Sequence, residues 1–202
     1  MKFRPVIFIL YSLCFVSNLI AEEIKPATKS LLFSEPPEKP APKQIASGGV
    51  NNFGSVILES LQTAGLVKLN GTTVTGPLNV VGSLITNGAT LNALEVSGEA
   101  NLSNTTVTQS SSIVGSMQAV RSTFLQSISI LTQKAVFTSS RLKSVTFRQD
   151  SAFKGKQILE LKQGTVVDGP IHFESGKGEV ILFPGCQVLG PVTGGKVIRK
   201  SQ

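Results

Sequence analysis

Val80, Val96, Ile113, Ile130 and Phe147 follow one another at intervals of 16, 17, 17 and 17 residues. A second series runs two residues earlier, through Leu78, Leu94, Ser111, Ile128 and Val145. A third passes through Gly82, Gly98 and Gly115 and continues at Thr132 and Gln149. Leu102, Ala119, Val136 and Phe153 keep the same offset, as do Leu91, Val107 and Phe124. Inside each unit apolar and polar residues alternate, as in Leu94-Glu95-Val96 and Ile128-Ser129-Ile130. A period of two is that of strands, whose successive side chains point to opposite sides. A constant longer period is that of a coil returning to the same place on every turn.

Downstream the pitch changes but the repetition persists. Leu159-Glu160-Leu161 returns as Val180-Ile181-Leu182, and Val167-Asp168-Gly169-Pro170-Ile171 as Val188-Leu189-Gly190-Pro191-Val192, each 21 residues on. An antiparallel sandwich also gives alternating strands, but it does not require equal spacing across five successive segments. The pattern therefore predicts an all-β, single-stranded β-helix (solenoid) of roughly eight coils, about 16–21 residues each, over residues 66–198. A 17-residue coil at ~3.3 Å per residue has a perimeter near 56 Å, so a triangular section measures about 18 Å on a side. Val, Leu, Ile and Phe side chains fill such an interior without leaving a cavity. The core ladder is expected to be Val80, Val96, Ile113, Ile130 and Phe147.

The flanks have a different character. Lys2 and Arg4 precede an apolar run from Val6 to Ile20, and Ala21 stands before Glu22-Glu23, the layout of a secretory signal peptide over residues 1–21. The same run is close to the length of a membrane span, so an uncleaved N-terminal anchor is the alternative. Residues 22–52 hold Pro26, Pro36, Pro37, Pro40 and Pro42 and read as a Pro-rich disordered linker. Over residues 53–65, Phe53, Val56, Ile57 and Leu61 share a helical face and Gly65 supplies a stop, which predicts a short capping helix. Residues 199–202 form a tail. Removing residues 1–21 leaves Cys186 as the sole thiol, so export here does not imply a disulfide scaffold. Its bland reading is a small buried apolar side chain.

Charge is sparse, at 15% of residues, and unevenly placed. Arg121, Lys134, Arg141, Lys143, Arg148, Lys154 and Lys156 lie in one stretch against Asp150 alone. They are candidate contacts for an anionic glycan or lipid surface, with plain solvation of an outward face as the competing reading. A solenoid leaves two open ends of unpaired backbone. With the helix capping one, the other end is the candidate self-association surface, and Phe173, Phe183 and Val192 are expected to form it.

Coils such as Leu94-Glu95-Val96-Ser97-Gly98-Glu99-Ala100-Asn101-Leu102, with a regular glycine after each strand, resemble the bactofilin or polymer-forming cytoskeletal family over residues 66–198. That resemblance implies a right-handed β-helix of triangular section with flexible tails. It also implies end-to-end polymerisation without nucleotide and a scaffolding role. The family is generally cytoplasmic, whereas this chain opens with an export signal, so an envelope-located relative is the expectation.

Sites for chemistry are scarce. His172 is the only histidine, and alternation within Pro170-Ile171-His172-Phe173-Glu174 turns it outward. Glu95 with Glu99, and Glu174 with Glu179, are the carboxylate pairs nearest in sequence, but neither comes with the Trp or Tyr platforms common in sugar sites. Gly190 to Lys196 lacks the Ser or Thr and the following helix of a phosphate loop. No catalytic residue, metal ligand, cofactor or nucleic-acid contact is assigned. The leading functional reading is a non-enzymatic, self-associating scaffold of the bacterial cell envelope, periplasmic or envelope-associated. Its partner is itself, with a membrane surface or cell-wall polymer as a further one. The second reading is a monomeric envelope module binding an anionic glycan or lipid through the basic stretch. A polysaccharide-active enzyme ranks third.

Overall fold

A computed structural model of the chain describes residues 44–150 and 155–201. The described part is all-β: seventeen strands in one continuous sheet, every recorded pairing between neighbours parallel. The sheet winds on itself as a β-solenoid of about nine turns. One column of rungs passes through Gln44, Leu61, Leu78, Leu94, Ser111, Ile128, Val145, Ile171 and Val192. These residues mark the first face of the coil. A second face runs through Val67, Leu84, Ala100, Met117, Ala135, Leu159 and Val180. The third runs through Leu58, Val74, Leu91, Val107, Phe124, Leu142 and Val167. Among the described residues no helix is long and apolar enough to cross a membrane.

The interior is built by like stacking on like. Val80, Val96, Ile113, Ile130, Phe147 and Phe173 occupy one register column and are each at most 2% exposed. Burying each such side chain contributes about 1.5–3 kcal/mol, which offsets the ordering of the coil that carries it. Where aromatic residues meet they adopt favourable pairings. Phe147 and Phe173 are stacked with centroids 4.6 Å apart, and Phe124 meets Phe137 edge to face at 5.9 Å.

Each corner solves its own problem. Between the first and second faces stand Gly65, Gly82, Gly98 and Gly115 at positive φ, in register. A Cβ on Gly98 would run into the carbonyl of Gly82, so only glycine lets successive coils close to rung distance there. Between the second and third faces the chain turns through a left-handed residue, held in turn by Gly88, Asn104, Arg121 and Ser139. The residue after each turn is buried, and Thr105, Ser122, Ser140 and Thr165 form an interior hydroxyl column. The backbone N–H of Thr105 donates to the hydroxyl of Ser122, that of Ser122 to Ser140, and that of Ser140 to Thr165, at 3.1–3.2 Å. Buried N–H groups that the turn would otherwise orphan are thereby satisfied. Cys186 ends this column, buried and unbridged.

Three expectations are corrected. Residues 53–65 are not a helix: Phe53 closes the strand Gln44–Phe53, Ile57–Leu58 is a rung of the third face, and Leu61–Asn70 opens the next coil. A helix this short gains little on its own, while a coil gains a full set of rung bonds and a stacking partner for each apolar residue. Phe53 stands beside Leu69, Leu58 beside Val74 and Leu61 beside Leu78. The solenoid therefore begins by Gln44 rather than Leu66, inside the stretch read as linker, and Arg199, read as tail, still pairs with Leu182. Val136 does not continue the Leu102–Ala119 column; Phe137 does, because one extra residue at Thr132-Gln133 shifts the register and turns Val136 outward. The expected signal peptide, linker residues 22–43, Phe153 and Lys154 lie outside the described residues.

Two substitutions check this packing by denaturant unfolding. Gly98→Ala is expected to destabilise by roughly 1–3 kcal/mol from backbone strain alone, with the Gly82 contact adding to it. Thr63 sits in the Val80 column with a buried hydroxyl that has no hydrogen-bond partner among the described residues. Thr63→Val is expected to stabilise by about 1 kcal/mol.

Candidate functional surfaces: one variable corner and two unlike ends

Rung alignment shows where the coils differ in length. From the core column of Val80 to that of Leu84, four successive coils take four steps: Thr63 to Val67, Val80 to Leu84, Val96 to Ala100 and Ile113 to Met117. The next takes five, from Ile130 to Ala135, and the following one takes twelve, from Phe147 to Leu159. Phe173 to Val180 takes seven. Nearly all the length variation thus falls at the corner between the first and second faces, over residues 148–156 and 174–177. Insertions confined to one face of a solenoid often mark its binding side.

The basic residues singled out in sequence do not converge. Arg121 occupies the corner between the second and third faces, where its Nε donates to Asn104 Oδ1 at 2.8 Å. Arg141 and Lys143 project from the third face, and Arg141 grips Asp168 through two hydrogen bonds of 2.8 and 3.0 Å. Arg148 is half-buried at the end of the first face and reaches Ser112 Oγ at 3.3 Å. Lys134 and Lys156 belong to the second face and its variable corner, each committed to a carboxylate at 2.7 and 2.9 Å, Glu160 and Glu179 respectively. Coil geometry separates residues that sequence proximity grouped.

Positive charge gathers instead on the C-terminal half of the second face. Glu160 binds both Lys134 and Lys162, and Glu179 binds both Lys156 and Lys196. Lys177 stands on the turn beside them and Lys200 at the end of the face, making six lysines to two glutamates. Partial burial works to raise the Glu160 carboxyl, but hydrogen bonds and charge from Lys134 and Lys162 outweigh it and hold the group below its ordinary range. Hydrogen bonds from Lys156 and then Lys196 depress Glu179 likewise. The sequence signal for this cluster was the recurrence of lysine at Lys156, Lys177 and Lys196, legible only once rung alignment sets Gln157 beside Gly178 and Gly178 beside Gly195.

The residues expected to form a self-association end are not together. Phe173 is buried in the core column beneath Gly178 and Gly195. Phe183 lies outward on the second face, with Lys162 Nζ 5.2 Å from its ring centroid. Val192 alone belongs to the last coil, half-buried against the core. What terminates the solenoid is the strand Gly195–Arg199, which places Val197 beside Val180 and Arg199 beside Leu182. At the other end, the strand Gln44–Phe53 contains no charged residue, and Val50 is 60% exposed.

His172 is exposed on the first face, its Nδ1 2.7 Å from Thr193 Oγ1. Glu95 and Glu99 lie on different faces, as do Glu174 and Glu179. Among the described residues no three His, Cys, Asp or Glu side chains gather in a way that could hold a metal ion.

The fold defines the chain as a parallel β-solenoid. Comparison with protein-family models, curated proteins and solved structures gave no match.

The depressed carboxylates give a pH signature. A folded-state value below the unfolded value, ordinarily 4.5, adds stability that is present above that pH and lost as pH falls through the folded value. Urea midpoints measured from neutrality down through pH 4.5 are expected to fall, and to fall less steeply in Glu160→Gln than in the parent chain.

Proposed function

We propose that this chain is a non-enzymatic structural scaffold of the cell envelope, exported through residues 1–21 and assembling through a solenoid end. The carrying observation is the contrast between the two ends. The strand Gln44–Phe53 is ten residues long, bears no charge, and among the described residues pairs only with Leu61–Asn70 on one side. Val50, Val56 and half-buried Phe53 lie at this end. A long uncharged strand with one edge unpaired is a template for a second chain.

The opposite end carries the usual deterrents to pairing. Arg199 occupies an inward register position beside Leu182, and Lys196 and Lys200 flank it. A charge directed at a core position would be buried unpaired in any continued stack, a cost of several kcal/mol. Association therefore uses the N-terminal end, pairing like end with like. The rest of the solenoid supplies rigidity: its interior is filled with stacked apolar side chains, and its rungs fix the three faces. The likeness of the glycine-punctuated coils to bactofilins supports the same reading.

Sedimentation of the full chain over a range of concentrations tests the proposal. Dimers or larger assemblies are expected, little changed by salt because the contact is backbone pairing and apolar packing. Val50→Lys is expected to dissociate them, and Arg199→Glu to leave their size unchanged. A parent chain that stays monomeric at every concentration refutes end assembly.

A further inference from the structure

The variable corner borders an open groove of about 470 Å³ at the C-terminal end of the second face. Lys156, Lys177 and Lys196 surround it, with Glu179 as its only carboxylate among the described residues, and Gly176, Gly178, Gly194 and Gly195 line the rest. We propose that this groove is a binding site for a phosphate group.

The lysines are held rather than merely adjacent. Lys156 Nζ and Lys196 Nζ lie 2.9 and 3.3 Å from the same oxygen of Glu179, although 40 residues separate them in sequence. One carboxylate thus positions two ammonium groups and leaves each with donors to spare. Among the described residues Lys177 has no ion pair. Three positive charges against one negative leave a surplus of two, the charge of a phosphate dianion. The built-in glutamate already satisfies the need that a single carboxylate ligand would meet.

The floor suits close approach. A Cβ at Gly178 or Gly195 would meet the Phe173 ring, so these positions stay bare and the ring backs the groove from inside. Apolar backing keeps water off one side and strengthens attraction between an anion and the lysines. One wall is built by the lengthened coil over residues 174–177, which contributes Gly176 and Lys177. A ladder-preserving glycine corner like those of the earlier coils would lack that wall.

The site does not depend on assembly through the N-terminal end, and different residues and readouts test the two. Phosphate binding to the full chain is measured by calorimetry with inorganic phosphate in low-salt buffer. Cosedimentation is measured with vesicles of phosphatidylglycerol and, separately, of phosphatidylcholine. Saturable binding in either phosphate arm is expected to weaken about tenfold or more in K156Q/K177Q/K196Q. It is expected to change less than about twofold in R121Q/K143Q, which removes two charges elsewhere. All five substituted side chains are solvent-exposed, and circular dichroism verifies that both variants keep the fold. Binding of free phosphate, lost in the triple variant, identifies the group itself as sufficient. Binding of phosphatidylglycerol vesicles alone, with the same loss, identifies a lipid headgroup as the source. No binding in either arm, or equal loss in both variants, overturns the proposal.

Discussion

Each residue of this solenoid finds its closest partner one coil away, across a parallel rung. That constraint governs everything else in the molecule. Backbone bonds to the coils above and below fix the register, and register decides that the neighbour of Val96 is Val80 on one side and Ile113 on the other. Sequence need only repeat size and polarity at the coil period, and a filled interior follows. Most pairings span about 17 residues, so local propensity has little say. The helical rhythm of residues 53–65 illustrates this, because stacking onto the next coil prevailed over it.

How much was legible in the sequence depended on what kind of regularity carried it. The apolar columns were readable because burial demands large aliphatic side chains at every turn, as Val80 through Phe147 show. The glycine column was readable because close approach of coils excludes any side chain. The hydroxyl column through Thr105, Ser122, Ser140 and Thr165 was not seen, since small polar residues also crowd solvated turns and composition does not separate the two. The extra residue at Thr132-Gln133 was hidden for another reason. Val136 and Phe137 are both apolar, so a one-residue slip left a plausible ladder in place.

Surface properties were the hardest to foresee. Three faces share each coil, and residues two apart in sequence point the same way while residues five apart can belong to different faces. The basic run from Arg121 to Lys156 looked like one patch and is spread around the section. The lysines that do gather, from Lys134 to Lys196, are drawn from successive coils and held by Glu160 and Glu179. Grouping them required the rung alignment, which the change of pitch had obscured.

Confining irregularity to a single corner gives the molecule the character of a cut key. Two corners and the long runs between them nearly keep translational symmetry, like the plain blade, while one edge carries most of the individual profile. Past the glycine column, such an edge can lengthen, shorten or change its chemistry over evolutionary time with little disturbance to the blade, because its added residues take no part in the apolar columns that fill the interior. Two chains with the same blade could then differ entirely in what they fit.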